Sequence, residues 1–351
     1  MVIRRSAVAA CTALLITGLA LPAQAQKTSA PRIGWQQTNR VSFDEFRGLA
    51  AVSRSVAWVS GESGTILRTT DGGTSWRNVS FPEGAGRAFR DIEAFDAYHA
   101  VVLSIGTGKR SAIFATNDGG ATWQRTFTNH NGDAFYDCMA FSNDGTGLAM
   151  SDPVNGRFRL VISHDRGHSW TLLVPKQMPP ALDGEFAFAA SGTCLVSGPS
   201  HQFWMASGGT THPRVFHTWD AGNTWTVAST PLRGGPTAGI YSIAFHNGKD
   251  GVAVGGDFAH PTNGAAAAGV TTDGGRTYTL SSPQVYGYRS GVAYVTGKLV
   301  VAVGPTGSDV SRSGGARWHH FDDDRYDSID CAPDGACWGS GTEGRVSILQ
   351  H

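Results

Sequence analysis

An eight-residue pattern recurs along this chain and constrains its fold more than any other feature. The pattern is Ser or Thr, any residue, Asp, any residue, Gly, any residue, Ser or Thr, and finally Trp or Tyr. Five intact copies carry their aspartates at Asp71, Asp118, Asp165, Asp220 and Asp273, and a degenerate copy spans 311–318. Successive aspartates are therefore 47, 47, 55 and 53 residues apart. This period predicts one four-stranded blade per copy, and hence a β-propeller.

These copies resemble the Asp box of sialidase-like propellers. In such a hairpin the Asp carboxylate accepts hydrogen bonds from backbone N–H groups and from the Ser or Thr hydroxyl, while Gly permits a positive φ. The terminal aromatic side chain packs into the sheet. We therefore predict a structural role for the five box aspartates, which would stabilise the turn between the third and fourth strands of a blade.

A second recurring unit, which precedes the boxes, indicates the number of blades. Each unit reads as an aromatic or polar start, an alternating apolar strand, a turn and a second strand. Seven units begin at Phe46, Phe89, Phe135, Gly184, Ile240, Tyr288 and Tyr326. The last unit ends without a box, whereas residues 33–37 mimic a fourth strand. We therefore predict an all-β, seven-bladed propeller whose ring is closed by the amino-terminal strand.

The amino terminus has the features of an export signal. A basic pair, Arg4 and Arg5, precedes an apolar run, and residues 23–25 (AQA) match a cleavage site. The general export route is predicted, with a twin-arginine route as the alternative. Removal of residues 1–25 would leave 26–351 as a single propeller domain, periplasmic or secreted.

Four cysteines remain after that cleavage, an even number in an oxidising compartment, so we predict disulfides. Cys331 and Cys337 flank a Pro-Asp-Gly turn, which would fold two strands back and bring the sulfurs opposite each other. Cys138 and Cys194 are then paired by elimination.

In a propeller the first strand of each blade lines the central channel, and its start lies on the face opposite the boxes. The second residue of each unit is therefore predicted to converge on the channel mouth. These residues are Arg47, Arg90, Tyr136, Glu185, Tyr241, Arg289 and Asp327. Arginine and tyrosine suit bidentate recognition of an anion or carboxylate, which predicts a binding site. The alternative is a solvated channel whose charges satisfy one another.

Two loops on the same face are unusually long. We assign Trp204 to the loop between the second and third strands of blade four, and Phe258 to the equivalent loop of blade five. Long loops on a rigid scaffold often carry function, and an exposed aromatic ring can contact a sugar or a partner's side chain. The alternative is that both loops only pack over the channel.

Composition and motifs exclude several classes of function. The 28 basic and 28 acidic side chains balance, so no nucleic acid partner is predicted. The sequence contains no nucleotide-binding, haem-attachment or zinc-protease motif, and no cofactor is predicted. The cluster at 319–324 (HHFDDD) matches neither a zinc nor a calcium loop, so no metal site is assigned.

The export signal, the seven units, the repeated boxes and the F-R or Y-R starts together resemble the photosystem II stability and assembly factor family. The resemblance spans nearly the whole of 26–351 and implies a propeller that binds other proteins during assembly of a membrane complex, without catalysis. Arg47, Arg90 and Arg289 match the arginine-bearing starts of that family. The chain departs from the pattern at Tyr136, Glu185, Tyr241 and Asp327.

Two other functions remain open. A sialidase-type glycoside hydrolase would need an arginine triad, a Tyr nucleophile, a Glu and an Asp, and the predicted ring contains these residue types. The nearest match to the sialidase F/Y-R-I-P motif, residues 31–34, lies instead on the closing strand. A carbohydrate-binding propeller without turnover would use the aromatic loops. We expect a monomeric, non-catalytic propeller with a protein partner in the cell envelope, and a glycan as the alternative ligand.

Overall fold

Seven antiparallel sheets of four strands each form the described part of the chain. The computed structural model describes Met1 and residues 33–351, so the predicted export signal lies outside the described residues. The strands of blades one to three are β2 Phe46–Ala51, β3 Ala57–Gly61, β4 Ile66–Thr69, β5 Arg77–Asn78, β6 Phe89–Ala94, β7 Ala100–Ser104, β8 Ala112–Thr116, β9 Gln124–Thr128, β10 Tyr136–Phe141, β11 Gly147–Val154, β12 Arg157–Ser163 and β13 Thr171–Leu173.

The remaining four blades follow the same order. Their strands are β14 Leu195–Ser197, β15 Phe203–Ala206, β16 Arg214–Thr218, β17 Thr226–Ser229, β18 Ala238–Phe245, β19 Gly251–Asp257, β20 Ala268–Thr271, β21 Thr279–Leu280, β22 Gly291–Thr296, β23 Leu299–Gly304, β24 Gly307–Ser311, β25 His319–Asp322, β26 Ser328–Cys331, β27 Cys337–Ser340, β28 Val346–Gln350 and, preceding blade one in the chain, β1 Gly34–Gln37. Short 3₁₀ helices span Pro82–Gly84, Gly108–Arg110, Pro199–His201 and Thr342–Gly344. No helix among the described residues has the length and apolar character needed to cross a membrane.

The first strands of the blades form a closed ring. Each contacts the first strands of its two neighbours, and β26 of blade seven contacts β2 of blade one. In blades one to six the strands are antiparallel and in sequence order, so the first strand starts at one face and the box hairpin lies at the other. The predicted seven-bladed, all-β architecture is therefore confirmed.

The amino-terminal strand β1 completes blade seven. It pairs antiparallel with β28, with Gly34 opposite Gln350 and Trp35 opposite Leu349. The Trp35 ring packs on Tyr326 with 4.6 Å between centroids, and its indole N–H donates to Ser308 of blade six. The sheet order β1, β28, β27, β26 thus joins the two ends of the described chain, as predicted.

The box hairpins share one set of hydrogen bonds. In blade one, the Asp71 carboxylate accepts from the Thr69 hydroxyl (2.9 Å) and from the N–H and hydroxyl of Ser75 (2.9 and 2.6 Å). Gly73 has a φ of +77° and donates its N–H to Thr69. The same contacts recur at Asp118, Asp165, Asp220 and Asp273. In the degenerate copy the hydroxyl of Ser313 replaces the carboxylate and accepts from the Arg317 N–H.

One disulfide joins two neighbouring blades, and a second joins two neighbouring strands. Cys138 on β10 is bonded to Cys194, just before β14, so this bridge links blades three and four. Cys331 and Cys337 are directly opposite each other on β26 and β27, and are bonded across the Pro-Asp-Gly turn. Both pairs are those predicted from the sequence.

The assignment of strands in blade four was wrong. The first strand is Leu195–Ser197 rather than a strand from Gly184, and residues 184–190 make only an isolated bridge between Phe186 and Gly208. Phe186 and Phe188 alternate as in a strand, but they pack against each other, with ring centroids 4.8 Å apart. The alternation therefore reflects a segment packed over the channel mouth rather than an inner strand.

Trp204 is also misplaced by the sequence analysis. It lies within β15, is fully buried, and stacks between His217 and Phe245 with centroids 4.4 and 4.0 Å away. Its indole N–H donates to the Gly274 carbonyl of the next blade. Because this ring fills the space between blades four and five, it is not a surface for sugar or protein, and that hypothesis is withdrawn.

Candidate binding site at the channel mouth

A bulge in the first strand decides which side chain faces the channel. In β2, Phe46 pairs with Gly61 and Gly48 with Ser60, which leaves Arg47 as the extra residue between them. A bulge redirects the side chain of its extra residue. Phe46 is buried in the blade, whereas Arg47 lines the mouth.

The same bulge places Arg90 and Tyr241 at the mouth. It lies between Phe89 and Asp91 in blade two and between Ile240 and Ser242 in blade five. In blade seven Ser328 pairs with Ser340, and the N–H of the preceding residue, Asp327, donates to the Ser340 carbonyl. Asp327 therefore takes the position that Arg47 has in blade one. Four of the seven predicted residues, Arg47, Arg90, Tyr241 and Asp327, therefore line one cavity.

The register is shifted by one residue in blades three and six. The bulge of β10 lies between Tyr136 and Cys138, so Asp137 corresponds to Arg47, and Tyr136 takes the buried place of Phe46. In blade six the N–H of Ser290 donates to Val303, so Ser290 rather than Arg289 occupies the ring position. A shift of one residue turns a side chain to the other face of its strand.

Arg289 is consequently not part of a binding surface. Its side chain is fully buried and forms an ion pair with Asp309, 2.6 Å from Nη2 to Oδ2, with a further 2.7 Å hydrogen bond from Nε. Its Nη1 donates to the Tyr288 carbonyl and to the Thr306 hydroxyl. The hypothesis that Arg289 binds a partner is therefore replaced by a structural role inside blade six.

Glu185 and Tyr136 are also turned away from the mouth. Both carboxylate oxygens of Glu185 accept from Arg214, and its Oε1 accepts from Ser207 as well. Tyr136 is fully buried and lines a depression between blades two and three that also contains Arg159. Because Glu185 is engaged by Arg214, it does not activate a tyrosine in the way that a sialidase-type mechanism requires.

Five charged side chains interlock at the mouth. Arg47 donates to Glu45, lies 3.1 Å from Glu62 Oε1 through its Nε, and lies 3.5 Å from Asp327 Oδ1 through Nη1. Arg90 Nε is 2.6 Å from the same Glu62 oxygen, and its Nη1 donates to the Ala189 carbonyl. Three carboxylates against two guanidinium groups leave this cluster with a net charge of −1. Glu45 and Glu62 were not among the residues predicted at the mouth, although Glu62 lies in the β3–β4 turn, which opens on this face.

Aromatic rings form the opposite wall. Phe188 stacks on Tyr241 with centroids 3.8 Å apart, and Tyr288 meets Tyr241 edge-on at 4.7 Å. Phe258 lies 6.5 Å from Tyr241, and about half of its surface is exposed. The resulting cavity has a volume of about 430 Å³. Its lining is Glu45, Arg47, Arg90, Phe188, Ala189, Ala190, Tyr241, Phe258, Pro261, Tyr288, Pro305, Asp327 and Thr342.

Several carboxyl groups at the mouth and on the first two strands of the blades have pKa values raised by burial. Burial raises the pKa of Asp327 to about 6, although the neighbouring Arg47 and Arg90 lower it. Burial also raises the pKa of Asp91 to about 7 and that of Asp152 to about 6. Three more carboxyls with raised pKa values because of burial are Glu93, Asp137 and Asp330.

We expect these groups to give the fold an unusual pH dependence. Because the folded-state pKa values of Asp91, Asp152 and Asp327 lie above the usual value near 4, the folded state binds more protons than the unfolded state between about pH 4 and 7. Stability should therefore rise as the pH is lowered from about 7.5 to 5, measured by the urea midpoint. In the Asp327→Asn variant this rise should be smaller. A midpoint that falls steadily over the same range would contradict the account.

The box aspartates act in the opposite sense at lower pH. Hydrogen bonds from the Thr122 hydroxyl and N–H lower the pKa of Asp118 to about 2. The stability that this carboxylate contributes is present above about pH 4 and is lost as the pH falls toward 2. The same urea series should therefore turn downward below about pH 4, which places the stability maximum between 4 and 5.

A larger depression of about 530 Å³ lies elsewhere, on the outer side of blade three. It is lined by strands β11, β12 and β13 and by residues 174–178. The lining comes from the outer strands and the segment that follows them, so this depression is separate from the ring of first strands. The channel mouth is the place where several blades converge, and it is our candidate site.

Comparison with known proteins agrees with the fold. No protein-family model and no curated protein matches the sequence. Among solved structures, YCF48 bound to a D1 peptide has a TM-score of 0.62 at 15% identity, covering 90% of this chain and 97% of its own. YCF48 from Cyanidioschyzon merolae gives 0.63 at 16% identity, covering 90% and 98%. U3-55K gives 0.63 at 12% identity, covering 92% and 100%.

These identities establish a shared propeller fold. YCF48 is a photosystem II assembly factor, so two of the three structures belong to the family that the sequence resembles. The expectation of fold that came from that resemblance is therefore met.

Proposed function

We propose that this chain is an exported, non-catalytic propeller that binds a protein partner at the channel mouth, as a scaffold or assembly factor for a complex of the cell envelope. The observation that carries the proposal is the mouth cavity, where charged side chains of blades one, two and seven meet the aromatic wall of Phe188, Tyr241, Phe258 and Tyr288. Concave sites with apolar walls and a few fixed polar groups are typical binding sites. The YCF48 structure with a bound D1 peptide supports binding of a polypeptide by a propeller of this fold.

Geometry favours binding over turnover. The hydroxyl of Tyr241 donates to the Thr237 carbonyl, and burial raises the pKa of this tyrosine well above its usual value, so it is a poor nucleophile. Phe258 offers an exposed aromatic ring at the rim, the residue type that dominates the energetics of protein interfaces. Export and a partner in the envelope remain part of the proposal, supported by two disulfides.

An affinity capture from an envelope extract, with paired variants, tests the proposal. Phe258→Ala removes an exposed ring at the mouth, and Trp219→Ala removes an exposed ring from the box of blade four, on the opposite face. We expect the Phe258→Ala protein to retain at least tenfold less of a defined partner than the unmodified protein, since a hot-spot aromatic residue contributes about 2 kcal/mol or more. Trp219→Ala should retain it fully.

The paired design separates the possible outcomes. Loss of the partner with Trp219→Ala but not with Phe258→Ala would place binding on the box face and overturn the proposal. Capture of no defined protein, together with saturable binding of a glycan, would favour the carbohydrate-binding alternative. Equal thermal midpoints of the two variants exclude unfolding as the cause.

A further inference from the structure

The arginines at the mouth are already neutralised within the protein. Arg47 contacts three carboxylates, Glu45, Glu62 and Asp327, and Arg90 shares the Glu62 oxygen with Arg47. An incoming carboxylate would have to displace these internal partners and would enter a cluster whose net charge is −1. The cluster therefore disfavours an anionic ligand, contrary to the anion site expected from the sequence.

Asp327 is the acceptor that remains available to a ligand. Its side chain is 6% exposed, its Oδ1 faces Arg47, and its Oδ2 has no hydrogen-bond partner among residues 33–351. A buried carboxylate oxygen without a partner is costly, and a bound donor would remove that cost. Asp327 lines the same cavity as the aromatic wall.

The aromatic wall completes a site for a positive charge. Tyr241, Tyr288, Phe188 and Phe258 line the same cavity as Asp327, and aromatic faces attract ammonium and guanidinium groups. A wall of this kind also packs against the methylene groups of a lysine or arginine side chain.

We infer that the mouth cavity is a receptor for an organic cation, a primary ammonium or guanidinium group held between the Asp327 carboxylate and the aromatic wall. This inference rests on the proposed function, because it assigns to the partner a lysine or arginine side chain at the point of contact. A free small cation has the same chemistry, and the experiment distinguishes the two sources.

The test uses capped pentapeptides, acetyl-AAXAA-amide, in which X is lysine, glutamate or norleucine, together with free n-butylammonium. Binding is followed through backbone amide chemical shifts of the exported domain. We expect saturable shifts at the mouth with the lysine peptide, at least tenfold weaker binding of the norleucine peptide, and none with the glutamate peptide. If the ligand is a polypeptide side chain, the lysine peptide binds more tightly than n-butylammonium; the reverse order identifies a free cation as the ligand.

A pair of variants removes one negative charge each. Asp327→Asn keeps the shape of the side chain, and Asp323→Asn changes an almost fully exposed carboxylate outside the cavity. We expect Asp327→Asn to weaken binding of the lysine peptide about tenfold, because one charge-assisted hydrogen bond is lost. Asp323→Asn should leave the affinity for this peptide unchanged. Affinity should also fall as the pH is lowered through about 6, where Asp327 becomes protonated among Arg47, Arg90, Glu45, Glu62 and Tyr288.

Several results would overturn the inference. These are tighter binding of the glutamate peptide, no saturable binding of either cation, shifts that lie outside the mouth, or an unchanged affinity in Asp327→Asn. The capture experiment with Phe258→Ala is independent of ligand charge. If the capture depends on Phe258 but the glutamate peptide binds more tightly than the lysine peptide, the inference fails and the proposed function stands. If no partner is captured but n-butylammonium binds at the mouth, the proposed function fails and the inference stands.

Discussion

Replacement of Arg289 by methionine is expected to lower the free energy of unfolding by about 3–5 kcal/mol, because it leaves the buried Asp309 carboxylate with no guanidinium counter-ion and only the His320 imidazole 3.4 Å away. Asp309 is 1% exposed and Arg289 is fully buried, so water cannot replace the lost partner. Urea unfolding followed by tryptophan fluorescence measures the change. By contrast, Arg47→Ala should cost about 1 kcal/mol or less, since this side chain is partly exposed at the channel mouth.

A second substitution tests the cause of this loss. Asp309→Asn in the Arg289→Met background removes the uncompensated charge and keeps an oxygen that accepts from the Tyr286 N–H. We expect the double variant to regain at least half of the lost stability. A double variant that is less stable than Arg289→Met would show that the guanidinium acts through packing rather than through its ion pair.

Removal of the bridge between blades three and four should have the next largest effect. Cys138 and Cys194 are 56 residues apart in sequence, so the chain-entropy model predicts a loss of about 4 kcal/mol for Cys138→Ala/Cys194→Ala. Cys331 and Cys337 are only 6 residues apart, and the same model predicts about 2 kcal/mol for Cys331→Ala/Cys337→Ala. Denaturant unfolding of both double variants gives the comparison directly.

The order of these two losses is the informative result. Both alanine pairs remove one bridge and leave the other intact, so each serves as the control for the other. A larger loss from the bridge with the shorter loop would indicate that strain or packing in the folded state dominates over loop closure.

The architecture could be predicted because its signals are local and repeated. Each box places Asp, Gly and a hydroxyl residue within eight positions, and one hairpin geometry uses all three, as Asp71 and Gly73 show. The missing fourth strand of the last blade and the unpaired strand at residues 33–37 are complementary defects in the pattern. Their pairing as β28 and β1 could therefore be predicted without knowledge of any contact.

The candidate site was harder to predict because it depends on register. Alignment of the first strands by their aromatic starts placed Tyr136 and Arg289 at the mouth, yet the register puts Asp137 and Ser290 at the equivalent ring positions. A bulge changes the facing of a side chain by a one-residue shift, and no residue type marks its position in this chain. The first strand of blade four was predicted wrongly for another reason. Phe186 and Phe188 alternate with the period of a strand, but their segment does not pair as one.

The contact partners of the charged residues at the mouth could not be predicted from the sequence either. Arg47 contacts Asp327 of blade seven, and Arg90 contacts Ala189 of blade four, so these contacts depend on closure of the ring. The arginines that match the assembly-factor pattern therefore occur in a different electrostatic setting from the one that the pattern suggests. An arginine count alone predicts an anion site, whereas the structure contains more carboxylates than guanidinium groups at the mouth.

Site-specific photo-cross-linking is the most direct test of whether the channel mouth is the binding surface. A photoreactive phenylalanine analogue would replace Phe258 at the mouth in one protein and Trp219 on the box face in another, and both would be expressed in the native host. The account predicts a single covalent adduct of defined mass from position 258 and none from position 219. An adduct from position 219 alone would contradict it.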